Sequence, residues 1–182
     1  MLFTAVPAIG DRLDPDTEDL APVQLLADAA LLSLVLFVGF IVVGLGVLYT
    51  LPRLLRLFVR PDRVYPLYGF HYALHRTTAR LTNVKFFALL FGYSSFVVHY
   101  LRGLGYDLSH VEQTGSNFGT EVQHETPLLV SVGRGTMVAD GLSILNADYS
   151  SSSFRLSKVS IGPRNFLGNN IPYPVGGRAG EN

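Results

Sequence analysis

Cysteine is absent from the 182 residues, which excludes a disulfide framework, thiolate metal sites and cysteine nucleophiles but leaves the cellular compartment open. Charge is scarce as well: 14 basic and 14 acidic side chains cancel, and charged residues make up 15% of the chain. Without net charge or a long basic run there is no electrostatic footprint for nucleic acid, so no nucleic-acid partner is expected. The 48% hydrophobic content excludes a disordered or collagen-like chain. A mean hydropathy of +0.32 is high for one soluble domain, and it comes from one concentrated apolar block.

That block runs from Ala29 to Leu51, 23 consecutive residues without a formal charge. As a helix it reaches about 34 Å at about 1.5 Å per residue, enough to cross a hydrocarbon core. The preceding segment holds Asp11, Asp14, Asp16, Glu18 and Asp19, not the basic leader of a cleaved signal peptide. Beyond the block, Arg53, Arg56, Arg60, Arg63, Arg76 and Arg80 crowd the C-terminal side, so the positive-inside rule puts the C-terminal region in the cytoplasm. The expected order is an acidic, non-cytoplasmic segment over 1–24, a cell-membrane span over 25–51, and juxtamembrane or interfacial helices over 52–104. Gly39, Gly44 and Gly46 expose backbone through which another transmembrane helix could approach.

Leu51-Pro52 is expected to kink or end the span, and the amphipathic turn after it to lie on the lipid surface. A second apolar stretch, Phe86 to Tyr100, is too short to cross comfortably and contains Gly92, Ser94, Ser95 and His99. Tyr72 to Leu101 therefore reads as interfacial or re-entrant helix, with Tyr68, Tyr72, Tyr93 and Tyr100 as headgroup anchors. His71 and His75 share a helical face, but no third ligand is evident, and two interfacial histidines are the simpler reading. No metal is expected.

After Gly105 the apolar period changes to six. Val132, Val138 and Ile144 are spaced by six, as are Ile161, Leu167 and Tyr173, and Gly133, Ala139, Gly162 and Gly168 follow four of them. A hexapeptide rhythm of this kind predicts a triangular coil whose aliphatic residues point inward and whose small residues turn the corners. Six hexads correspond to about two coils. Leu145 to Lys158, with Asn146, Asp148 and Ser150 to Ser153, interrupts the period as a protruding loop; such loops carry sites, and their serines also cap turns. The expected fold class is α+β: a transmembrane helix and interfacial helices followed, over 105–182, by a partial left-handed parallel β-helix.

Five segments, Tyr65-Pro-Leu-Tyr-Gly-Phe-His-Tyr72, Gly115-Ser-Asn-Phe-Gly119, Gly135-Thr-Met-Val-Ala-Asp-Gly-Leu-Ser143, Asn146-Ala-Asp148 and Asn165-Phe-Leu-Gly-Asn-Asn170, together resemble the C-terminal region of membrane-bound nonribosomal peptide synthetases of the poly-lysine synthetase type. The resemblance covers roughly residue 25 onward. It implies a β-helical soluble domain, related to hexapeptide acyltransferases, that joins carrier-bound amino acids into a homopolymer. It also implies adenylation and carrier modules as partners, with phosphopantetheine on a carrier elsewhere and no cofactor bound directly. This sequence has no glycine-rich nucleotide loop, and its serine run lacks the helical context of a carrier serine, so it reads as a fragment or one piece of a split system that cannot activate amino acids alone.

Peptide-bond formation from a thioester needs a base for the amine and donors for the oxyanion. His124 is the candidate base, with Asp148 as a second catalytic candidate approaching from the interrupting loop. Glu125 and Asn146 are the candidate substrate-binding residues, and Asn117 lies near in sequence. Asp148 could instead hold a lysine-like ε-ammonium group. A surface histidine is the plain alternative for His124, and a noncatalytic membrane-attached scaffold or a hexapeptide acyltransferase-like protein are the alternatives for the chain.

Overall fold

The computed structural model describes residues 22–108, 111–114 and 118–180. Residues 1–21 and part of the Gly115 to Gly119 motif, including Asn117, lie outside the described residues. Residues up to Val47 and residues 48–182 are two compact units.

The chain opens with α1 (Pro22–Arg56), which at about 1.5 Å per residue is about 52 Å long. It is long and apolar enough to cross a membrane, and its apolar window is almost wholly exposed. The helix does not end at Pro52. Pro52 is buried inside the helix, which continues one turn to Arg56 before the N–H groups of Leu57, Phe58 and Val59 donate to the carbonyls of Leu54, Leu55 and Arg56 and close it.

Within the second unit, β1 (Val64–Pro66) leads into three helices, α2 (Phe70–Thr82), α3 (Lys85–Gly92) and α4 (Val97–Leu104). The chain then runs through β2 (Asp107–Leu108), β3 (Val111–Thr114), a short helix α5 (Phe118–Glu121) and β4 (Gln123–His124). A second pass consists of β5 (Val130–Val132), β6 (Thr136–Val138) and β7 (Ser143–Ile144). After the excursion of β8 (Ala147–Tyr149) and β9 (Ser153–Leu156), a third pass comprises β10 (Val159–Ile161), β11 (Phe166–Leu167) and β12 (Pro172–Tyr173), and β13 (Arg178–Ala179) begins a fourth.

Equivalent strands of successive passes pair in parallel, giving sheets β13-β10-β5-β2, β11-β6-β3 and β12-β7-β4. The register brings the two sequence triplets face to face: Ile161 opposes Val132, Leu167 opposes Val138, and Tyr173 opposes Ile144, all six buried. Alternation explains which side chains turn in, since Val130 and Val132 are buried around half-exposed Ser131, and Thr136 and Val138 around exposed Met137. The small residues after the apolar ones mark close backbone approaches. A Cβ on Gly133 would lie 2.3 Å from the backbone nitrogen of Pro163, and one on Gly162 would lie 2.3 Å from the carbonyl oxygen of Gly180.

The first pass lacks the aliphatic-plus-small signature. Its residues in register are Leu108 against Val132, Thr114 against Val138, and His124 against Ile144. The interrupting segment is a regular antiparallel hairpin, with β1 as third strand in the order β1-β9-β8. Its serines make the turn: the Ser150 and Ser153 hydroxyls are 2.8 Å apart, and the Ser153 N–H donates to Ser150 Oγ at 3.1 Å. Beneath this sheet Val59, Tyr65, Leu129, Phe154 and Leu156 form a second apolar core.

The helices after residue 70 pack in the same unit as the strands. A Cβ on Gly92 would meet Gly119 backbone at 2.6 Å, so α3 and α5 approach closely where both are glycine. Tyr100 is 3% exposed, with its ring stacked on Phe91 at 5.3 Å, so it is a core residue and not a headgroup anchor; Tyr68 and Tyr93 are exposed. His75 is likewise buried and not interfacial.

Candidate functional site

Helix α2 turns a polar face inward, with His75, Thr78 and Thr82 buried at helical spacing. Threonine is a weak helix former that returns its hydroxyl to the preceding turn. Thr78 Oγ1 donates to the Leu74 carbonyl at 3.0 Å and Thr82 Oγ1 to the Thr78 carbonyl at 2.9 Å, so both hydroxyls are satisfied without water. Asn83 ends the helix, and its amide donates to the Ala79 carbonyl at 2.7 Å.

The same amide group grips β4. Asn83 Nδ2 donates to the His124 carbonyl at 2.5 Å, and its Oδ1 accepts from the His124 N–H at 3.3 Å, closing the outer edge of a strand whose other side pairs with β7. The His124 ring is 5% exposed. Its Nε2 lies 3.1 Å from the Thr82 carbonyl oxygen, which can only accept, so Nε2 carries the hydrogen and Nδ1 accepts from the Tyr106 hydroxyl at 2.9 Å. Burial holds the imidazole neutral by pushing its pKa down to about 4, with the Thr82 carbonyl pulling weakly the other way. As placed, neither ring nitrogen is available to take a proton from an attacking amine.

A cleft of about 580 Å³ opens beside this residue, walled by α2 and α3 and floored by β4, β7 and the end of α5. Three cations line it, Arg76, Arg80 and Lys85, against the two acids Glu121 and Glu125. Neither Arg80 nor Lys85 has an ion-pair partner among the described residues. Tyr100 also lines the cleft, and its hydroxyl is buried without a hydrogen-bond partner among the described residues. The arrangement suits an elongated ligand with an anionic group facing the helices and room for a cation at Glu121.

Glu125 works at the hairpin root. Its Oε2 accepts from the backbone N–H groups of Asn146 and Ala147, both at 2.7 Å. Asn146 is fully buried; its Oδ1 accepts from the Thr126 N–H at 3.2 Å and its Nδ2 donates to the Ser157 carbonyl at 3.2 Å. Both predicted substrate-binding residues therefore fasten the root of the excursion to the connection between the first and second passes. A further predicted site residue, Asp148, stands on the exposed hairpin and pairs with Arg155 at 3.3 Å. Among the described residues it shares no hydrogen-bond partner with His124, which is buried where Asp148 is exposed.

The second buried histidine was not singled out for this role by its spacing. His75 Nε2 lies 3.0 Å from the Tyr149 hydroxyl, which donates to Glu125 Oε1 at 3.5 Å, and His75 Nδ1 faces Thr126 Oγ1 at 3.5 Å. Burial, reinforced by the positive charge of Arg76, lowers its pKa to about 4. Burial and then the Glu125 carboxylate push the Tyr149 hydroxyl up to about 12, opposed by Arg76. Among the described residues no group of three potential metal ligands is present.

Comparison with known proteins finds no matching family model, no matching curated protein and no matching solved structure. The side chains that shape the cleft but carried no sequence motif are Thr82, Asn83, Arg76, Arg80 and Lys85. For two of them, Arg76 and Arg80, the spacing of four along one helix is a signal that could have found them.

Proposed function

We propose that the chain is a membrane-anchored segment of a nonribosomal peptide synthetase, whose cytoplasmic part holds aminoacyl groups delivered by a carrier for condensation into a homopolymer. In this reading α1 crosses the cell membrane, and the three parallel sheets are the sides of a partial left-handed parallel β-helix. The cleft lined by Arg76, Arg80 and Lys85 carries the reading. A carrier arm presents a phosphate and an extended chain, which fits Arg80 and Lys85, without ion-pair partners among the described residues, above a mixed floor, and a lysine-like ammonium group would face Glu121. Adenylation and carrier modules supply the activated substrate, and phosphopantetheine stays on the carrier.

The internal bonding of His124 favours a second reading, a noncatalytic scaffold that docks the carrier without gripping its arm. One experiment separates the two. The full chain in nanodiscs is titrated with a lysyl-loaded carrier and with the same carrier lacking its phosphopantetheine. Holding predicts tighter binding of the loaded form, weakened about tenfold or more by Arg80→Gln with Lys85→Gln. Equal affinity for both carriers, unchanged in that variant, overturns holding and leaves the scaffold; no binding of either carrier refutes both readings.

A further inference from the structure

The short segment after α1 builds a second polar pocket that the cleft reading does not use. Its volume is about 580 Å³, and it is lined by Leu57, Phe58, Arg60, Arg63, Tyr65 and His71, with Val64 and Pro66 completing the wall. Arg60 and Arg63 are exposed and have no acidic partner among the described residues. The acid between them, Asp62, does not line the pocket; its backbone adopts φ 60° and its N–H donates to the Leu156 carbonyl at 2.7 Å, which pins the loop to β9. One wall is rigid. Tyr65 is buried, its ring stacks on His71 at 4.3 Å, the Arg63 guanidinium stands 5.9 Å above it, and its hydroxyl accepts from the Arg60 N–H at 2.9 Å.

The lip has the opposite character. Leu57 is 74% exposed and Phe58 58% exposed, with the Phe58 ring edge-on to exposed Phe70 at 6.3 Å. Aliphatic and aromatic side chains left in the open next to two guanidinium groups without an acidic partner among the described residues match an amphiphile, not a small ion. Position supplies the rest. The uncharged run of α1 ends at Leu51, and Arg60 follows only nine residues later, so a helix that spans the bilayer leaves this pocket at headgroup depth.

We infer that this pocket binds the phosphate of an anionic phospholipid, with the acyl chains against Leu57 and Phe58. Among the described residues the lining carries two cations and no acid, which disfavours a zwitterionic headgroup that brings its own cation. The inference rests on the membrane reading of α1 and is independent of the carrier reading of the cleft.

Native mass spectrometry of the full chain released from nanodiscs of equal parts phosphatidylglycerol and phosphatidylcholine tests it. The expected result is a retained phosphatidylglycerol whose apparent affinity falls about 30-fold in Arg60→Gln with Arg63→Gln, at about fivefold per arginine. Arg134→Gln, on the coil, leaves it unchanged, and far-UV circular dichroism checks that the double variant is folded. Retention of phosphatidylcholine as strongly as phosphatidylglycerol, or retention unaffected by the double variant, overturns the proposal. So does displacement of the lipid by inorganic phosphate at comparable concentration, which would make this a small-anion site. Carrier binding by the cleft is read in a separate titration, so failure of one proposal leaves the other standing or falling on its own result.

Discussion

Acidification from about pH 7 to about pH 5 should loosen the strand-rich unit through the buried His75 and His124. His124 faces Tyr106 and the Thr82 carbonyl; His75 faces Tyr149, Thr126 and, through Tyr149, Glu125, with Arg76 beside it. Both hold folded pKa values near 4, against 6.5 when unfolded. The native state thus refuses a proton that the unfolded chain accepts. Their contribution is complete above 6.5 and is lost as pH falls from 6.5 toward 4. At pH 5 the unfolded rings gain about 1.5 units of protonation free energy, or about 2 kcal/mol each and about 4 kcal/mol together. That is a large fraction of the 5–15 kcal/mol typical of a domain. Thermal melts in nonionic micelles, followed by far-UV circular dichroism, should show a clear drop between the two pH values. His75→Gln and His124→Gln should each remove about half of the pH slope. Histidine NMR should find His124 as the neutral Nε2–H tautomer at pH 5. A melting temperature indifferent to pH, or rings titrating near 6.5, refutes the argument.

Three further outcomes follow from particular contacts. Glu125→Ala strips the acceptor from two backbone N–H groups, a loss of about 2–4 kcal/mol for charge-assisted bonds; hydrogen exchange should rise first at the hairpin root around Asn146 and Ala147. Gly133→Ala should lower the melting temperature by the equivalent of about 1–3 kcal/mol, because the new methyl meets Pro163 backbone, whereas Gly168→Ala, whose Cβ would sit 3.6 Å from a flexible Ile171 terminus, should melt close to the parent. His124→Leu restores an aliphatic residue in the Ile144 column yet strands the Tyr106 hydroxyl and Thr82 carbonyl, costing about 1–3 kcal/mol for each orphaned group; adding Tyr106→Phe should recover part of that, and a double-mutant cycle with no coupling would contradict the bond.

The second and third passes were legible because aliphatic residues six apart are followed by residues small enough for a corner, and the register matches those two triplets residue for residue. The first pass was not legible. Its positions in register hold Leu108, Thr114 and His124, and α5 stretches the last spacing to ten residues, so neither composition nor period marks it. Within the helices after residue 70, apolar content alone does not tell a lipid face from a face buried against the rest of the unit. Tyr100 and His75 were misplaced for that reason. The cleft depends on Asn83 and Thr82 meeting a strand about 40 residues away, a contact that no local pattern encodes.

Polar residues at the first pass carry a structural logic of their own. An aliphatic residue at position 124 would continue the apolar column, but nothing directional would then fix where α2 lies on β4. The ring bonds to Thr82 and Tyr106, and the two-point grip of Asn83 on the same backbone, set one register of helix against strand. Any slip of α2 by one turn would leave buried polar groups on both sides unsatisfied, at about 1–3 kcal/mol each. The cleft owes its shape to that register, because Arg76 and Arg80 are placed over the floor by the same helix whose end Asn83 holds. His124 is therefore a positioning residue, which acts on the cleft through α2. Replacing it should weaken carrier binding and raise hydrogen exchange across Thr78 to Asn83 together, whereas loss of binding with unchanged exchange would mean that the ring touches the ligand directly.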